Sequence, residues 1–390
     1  MKRAPFVTWG LFAAALAIFF CSLLTVLSAP TAALWIAAIV ITEWGYYAAF
    51  FCLVLALVSW RRGRPGLIGG VLSIVAALLC LSPAFRAAMM SDSLVARCDA
   101  VFGRALSFDA DRAPFQLLDL FRGAPASGVH VTEHTYATDG AKQFKLDLYQ
   151  SGNRSEPQPI IVMIHGGSWN GGDKEQLPAL NRSLARERYS VVAINYRHAP
   201  KFKSPSAVED TFRAIKFLKA NAAQLGLDVS RIVLIGRSAG GQIALSAAYA
   251  SRETAIKGVV GFYAPADLVL GYREPSRRWV LDSKEVLEDY VGGSPEANPE
   301  GYQMASATNF VGADTPPTLL IHGLLDPIVW PKQSLALASR LAQFDRLHLL
   351  LELPWATHGC DANMSGPSGQ LSLYAIERFL AAVFAAPAAR

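Results

Sequence analysis

The first fifth of the chain is almost unbroken by polar residues. No charged residue occurs from Ala4 to Thr42, Glu43 is the only one before Arg61, and a second charge-free run extends from Pro65 to Phe85. A helix needs about 20 consecutive apolar residues to cross a bilayer. The pattern therefore predicts three membrane-spanning helices, at about 6–28, 34–60 and 66–85, making 1–85 a membrane region. Pro30 follows the small pair Ser28-Ala29 and argues against a cleaved leader, as do the two further apolar segments.

Beyond this region the pattern changes twice. Over 86–127, Leu94, Val95, Cys98, Val101, Phe102 and Leu106 recur at helical spacing, which predicts a juxtamembrane linker of short amphipathic helices closed by the loop "APASG". From 128 to 390 the periods shorten. "VHVTEHTYATDGAKQFKLDLY" alternates about "TDG" and reads as a hairpin. Then "IIVMIH", "SVVAINY", "IVLIG", "GVVGFYA", "TLLIHG" and "LHLLLEL" are short apolar runs of the kind buried on both faces of a parallel sheet. Helical stretches such as "SAVEDTFRAIKFLKANAAQLG" separate them. The expectation is a three-layer α/β domain with a mostly parallel sheet. The long connection at about 268–308 reads as a lid.

Charge changes the picture by its placement. Residues 1–85 hold five basic residues and one acidic residue, so they carry +4 of the net +5. The remaining three quarters is near neutral, and no nucleic-acid partner is implied. Lys2 and Arg3 precede the first span, 29–33 carries no charge, and Arg61, Arg62 and Arg64 follow the second span. Basic residues mark the cytoplasmic side. This predicts a cytoplasmic N-terminus and an α/β domain outside the cytoplasm, in the periplasm or at the cell exterior. Glu43, among Trp35, Trp44, Tyr46 and Tyr47, reads as an interfacial residue or one packed between helices.

The chemistry centres on "RIVLIGRSAGGQIAL". Gly236-Arg237-Ser238-Ala239-Gly240 fits G-x-S-x-G, with a strand before it and a helix after it. In that setting the serine sits on a sharp turn and its hydroxyl stands at the helix N-terminus. A serine hydroxyl attacks only when a base takes its proton, and in this chain order an acid and then a histidine should follow. Asp326 lies in the loop after "TLLIHG", and His358 follows the last strand. Asp361 is the second-choice acid, and Asp267 is a candidate hydrogen-bonding residue of the pocket. His130, His134, His198, His322 and His348 read as surface or core histidines. "VMIHGGSWNGGDK" places Gly166 and Gly167 after a strand. Their N–H groups, with that of Ala239, form the expected oxyanion hole. Trp169, Trp330 and Phe262 are candidates for the pocket lining.

Residues 128–385 resemble the α/β-hydrolase superfamily, and within it the hormone-sensitive-lipase-like, feruloyl-esterase-like and isoprenylcysteine-methylesterase-like esterases. The matching pieces are "HGGSW" with "GGDK", "NYRHAP", "GRSAGG", "HGLLDPIV" and "THG". Ser168 replaces the usual third glycine, Arg237 replaces Asp, and His198 replaces Leu. The resemblance implies hydrolysis of a small-molecule or lipid ester through an acyl-enzyme on Ser238, without metal or organic cofactor. The alternatives are acyl transfer to an envelope sugar or lipid, and a membrane scaffold that has lost catalysis. Five cysteines are too few for a disulfide framework. Cys98 and Cys360 alone lie outside the spans on the exterior side, and a bond between them would fasten the His358 loop to the juxtamembrane helices.

Overall fold

Three apolar helices lead the chain: α1 (Ala4–Ser22), α2 (Ala32–Ser59) and α3 (Gly63–Phe102). Each belongs to a segment long and apolar enough to cross a membrane. The computed structural model describes residues 4–103, 112–123, 128–152, 156–251 and 253–385. Lys2, Arg3, Leu106 and 124–127 of the "APASG" loop lie outside them.

Up to Phe102 the expected short helices are replaced by one continuous helix, and a short 3-10 helix follows at Leu117–Phe121. Helix α3 continues unbroken for 40 residues, about 60 Å at 1.5 Å per residue and twice the ~30 Å hydrocarbon core. Pro83 lies inside it and cannot donate to the carbonyl of Leu79. The Ser82 hydroxyl donates to that carbonyl instead, at 2.7 Å. Past the proline, Ala87, Leu94 and Cys98 are fully buried in the core of the following domain. The third apolar helix is thus long enough to cross a membrane and is also a core element of the following domain.

That domain is built on one eight-stranded sheet. Its strands are β1 (Val129–Asp139), β2 (Lys142–Ser151), β3 (Gln158–Ile164), β4 (Ser190–Ile194), β5 (Leu227–Arg237), β6 (Ile256–Phe262), β7 (Thr318–Gly323) and β8 (His348–Leu353). They lie in the order β1-β2-β4-β3-β5-β6-β7-β8. The β1–β2 hairpin is antiparallel, β2 joins β4 antiparallel, and every other pairing is parallel. Along β3, Ile160, Val162 and Ile164 face one helical layer, and Ile161 and Met163 face the other. A strand buried on both faces must be apolar at every position, which is why its sequence shows a run and no alternation.

The helices are α4 (Pro178–Arg186), α5 (Ser206–Ala220), α6 (Ala222–Leu225), α7 (Ala239–Ala250), α8 (Leu268–Arg273), α9 (Ser283–Val291), α10 (Pro299–Ala305), α11 (Lys332–Gln343) and α12 (Pro367–Phe384). The short helices α8, α9 and α10 occupy the long β6–β7 connection.

Helix α2 docks onto this domain through one polar residue. The Glu43 carboxyl accepts from the Ser368 hydroxyl at 2.6 Å and from the Ser368 amide at 3.2 Å. Ser368 is the second residue of α12, where backbone N–H groups lack helical partners. Glu43 therefore supplies an N-terminal cap to α12 from another helix. Asn363 donates to the Glu43 carbonyl at 2.9 Å, and the Tyr46 hydroxyl donates to the Leu120 carbonyl at 2.9 Å. No disulfide makes this junction: Cys98 and Cys360 are buried free thiols. Glu43 hydrogen bonds and the α3 core contact do the fastening.

Candidate active site

Strand β5 ends at Arg237 and α7 begins at Ala239, so one residue carries the whole turn. That residue is Ser238, with φ 52° and ψ −121°, a left-handed conformation strained for any residue with a side chain. The flanking glycines make the turn sterically feasible. A Cβ at Gly236 would collide with the Gly240 carbonyl oxygen, and one at Gly240 with the carbonyl oxygens of Ile164 and His165. The Ser238 amide donates to the Phe262 carbonyl at 2.9 Å, fixing the elbow to β6.

Residues distant in sequence converge on the half-buried Ser238 hydroxyl. His358 Nε2 lies 2.9 Å from Ser238 Oγ, and His358 Nδ1 lies 2.7 Å from Asp326 Oδ2. A carboxylate accepts, so Nδ1 carries the proton and Nε2 is left to accept from the serine. Asp326 Oδ1 accepts from the amides of Ile328 and Val329 at 2.8 and 2.9 Å. Burial works against charge on Asp326. The His358 imidazole, together with hydrogen bonds from His322 and His358, outweighs it and holds the carboxyl at about 2.

Of the three amides expected as oxyanion donors, one has a partner within the fold. The Gly166 amide is already committed to Gln176 Oε1 at 2.9 Å. Gly167 lines one cavity together with the serine, and the Ala239 N–H is the first of α7. Ser168 stands at φ 52° and Trp169 at φ 58°. The turn thus demands left-handed backbone where a third glycine would be unstrained.

A BD-FAE family model matches residues 146–341, half of the chain, including Ser238 and Asp326 and stopping short of His358. The chain belongs to the BD-FAE family. Among curated relatives, the probable carboxylic ester hydrolase LipM of Mycobacterium tuberculosis is 31% identical over 241 residues, covering 58% of this chain and 55% of its own length. Esterase LipC of the same organism is 29% identical over 267 residues, covering 65% of each. The chain thus spans less than two thirds of either relative. Among solved structures, a bacterial heroin esterase superposes with a TM-score of 0.57 at 23% identity, over 77% of this chain and 96% of that one. The fold is the α/β-hydrolase fold.

In this BD-FAE domain two cavities meet at Ser238. The smaller, about 50 Å³, is lined by Trp169, Ala239, Leu268, Leu287, Val329 and Trp330 among others. The larger, about 370 Å³, is lined by His358, Gly166, Gly167 and Tyr263, and by Trp35 and Ile39 of α2. Two residues from the first two turns of the second apolar helix are therefore part of the site wall. Trp35 donates its indole N–H to the His358 carbonyl at 2.8 Å.

Several expected residues take other places. Phe262 is a buried core residue of β6, whereas Trp169 and Trp330 do line the smaller cavity. Asp267 caps α8 by accepting from the Leu270 amide at 2.9 Å. Asp361 does not touch His358. It pairs with the buried Arg237 guanidinium and accepts from the Tyr263 hydroxyl at 2.5 Å. Through Arg237 the histidine loop is tied to the residue preceding the serine.

Three contributors escaped the sequence reading. His322 reaches Asp326 Oδ2 at 3.3 Å and the Val329 carbonyl at 2.9 Å, and its other nitrogen meets Ser334 Oγ at 2.6 Å. Tyr263 lies 4.4 Å from the His358 ring. Trp35 is the third. The available signal for it was the spacing of Trp35, Ile39, Glu43 and Tyr46, one face of a helix that is otherwise apolar all round.

Proposed function

We propose that this protein is a membrane-anchored serine carboxylesterase. The observation that carries the reading is the continuous hydrogen-bonded chain from Asp326 through His358 to Ser238 Oγ. In the proposed cycle His358, oriented by Asp326, takes the Ser238 proton as the hydroxyl attacks an ester carbonyl. The amides of Gly167 and Ala239 receive the negative oxygen. His358 then gives the proton to the departing alcohol, and water attacks the acyl-enzyme by the reverse path. The esterase names of the mycobacterial relatives support the same class of substrate.

The anchoring part of the reading rests on the three long apolar helices. The α1–α2 connection touches the α/β domain: the Ala32 amide donates to the Trp279 carbonyl at 3.0 Å, and Arg277 donates to the Ser28 carbonyl at 3.3 Å. The Arg61–Arg64 turn lies one α2 length away, about 42 Å. With those arginines on the cytoplasmic side, the α/β domain lies on the other side. A fluorophosphonate probe tests the chemistry: the wild type is labelled at Ser238 and Ser238→Ala is not. Labelling of Ser238→Ala at another serine would refute the assignment.

A further inference from the structure

The two cavities differ in size, in walls and in their relation to His358, and together these differences assign the two sides of the ester. In a serine esterase the histidine must hand its proton to the leaving alcohol, so the alcohol oxygen departs on the side that His358 faces. His358 lines the larger cavity and is not among the residues of the smaller one. The acyl group, held between the serine and Ala239, points into the smaller. At about 50 Å³ that cavity is a third of the ~150 Å³ that accommodates benzene. Trp169 closes it rigidly: its ring stacks on Tyr290 at 4.3 Å, and its N–H donates to Gln242 at 2.9 Å. The buried Gln242 also accepts from the Tyr290 hydroxyl at 3.0 Å.

The alcohol side is different. Its 370 Å³ cavity is lined by Trp35 and Ile39 of α2 and by Val280 and Ala362, with Leu281 and Ile328 shared between the two cavities. On the outer face of the same two turns of α2, Ile36 and Val40 are exposed apolar residues. A single helix thus separates the cavity from a lipid-facing surface. Trp279, adjoining Val280, is 83% exposed and sits beside the α1–α2 connection, where Val26 and Leu27 are also exposed. An exposed tryptophan among apolar residues at the end of a membrane-type hairpin matches the bilayer interface.

We infer that the substrate is a short-acyl ester, acetyl or propionyl, of a long-chain alcohol drawn from the bilayer, with the apolar alcohol lying along α2 in the larger cavity. The inference rests on the esterase reading above and deepens it. Ser238 takes the small acyl group, the alcohol leaves with the proton from His358, and water releases the short acid.

Two ester series measured on the full-length protein in mixed micelles test it. With p-nitrophenol fixed, kcat/KM should fall about tenfold or more from acetate to octanoate. With acetate fixed, dodecyl acetate should exceed ethyl acetate by about tenfold or more. Octanoate turned over as fast as acetate, with no gain along the acetate series, would overturn the assignment while leaving the esterase reading intact. Hydrolysis of no ester in either series would overturn both. Ile39→Trp, which fills the alcohol side, should reduce the dodecyl-to-ethyl ratio about fivefold. An unchanged ratio would remove α2 from the substrate site.

Discussion

The indole N–H of Trp35 donates to the backbone carbonyl of His358 at 2.8 Å, across 323 positions of sequence. A residue of the second membrane-type helix therefore holds the loop that carries the candidate base. The two rings also meet edge to face, with centroids 6.2 Å apart. The second apolar helix and the candidate site thus share a wall in this chain.

Replacing Trp35 by Phe keeps most of the ring and removes the donor. A hydrogen bond of this kind contributes about 0.5–1.5 kcal/mol, and its loss loosens the His358 loop. We predict that kcat for p-nitrophenyl acetate falls about two- to tenfold in Trp35→Phe. A kcat equal to that of the wild type would separate the helix from catalysis.

Glu43 is fully buried and caps α12 through Ser368. Glu43→Ala leaves two donors without a partner and opens a void, a loss of about 2–4 kcal/mol. Glu43→Gln retains an accepting oxygen and should lose less. Thermal unfolding in detergent reads this order directly, and equal Tm values for the two variants would contradict the cap.

Much of this architecture was legible in the chain and some was not, for physical reasons. The parallel strands announce themselves because β3 to β7 are buried on both faces along most of their length and are largely apolar there. The turn at Ser238 is legible because only small residues allow Gly236 and Gly240 to approach their neighbours so closely. Helix α3 beyond Pro83 was not, because proline ordinarily ends a helix and the Ser82 hydroxyl that rescues it here leaves no pattern in the sequence. The commitment of the Gly166 amide to Gln176 was equally invisible, since it depends on how the loop folds back. Nor did apolar periodicity distinguish the face of α2 that meets His358 from its exposed apolar face. Only the polar atoms of Trp35, Glu43 and Tyr46 mark it.

Histidine 165 gives the molecule a pH dependence of known sign. Burial pushes its imidazole down to about 4 from an ordinary 6.5, against the opposing pull of the Gly166 carbonyl. Between those values the unfolded chain holds a proton that the folded chain does not. Stability attributable to this group is thus constant above pH 6.5 and is lost as pH falls towards 4, by an amount on the order of 3 kcal/mol. The unfolding free energy of the wild type minus that of His165→Asn should decline across this window. A difference that stays flat would mean the ring is protonated in the fold.

All five cysteines are free thiols in the structure. Thiol titration of the denatured, never-reduced protein should find five, and reductant should leave Tm unchanged. A count of three would restore a bond.

The central claim is that Ser238 is the nucleophile of an ester hydrolase. Turnover of p-nitrophenyl acetate by the purified full-length protein, beside Ser238→Ala, tests it most directly. The account predicts measurable turnover in the wild type and a loss of about a thousandfold or more in the variant. A folded Ser238→Ala protein that retained the wild-type rate would contradict it.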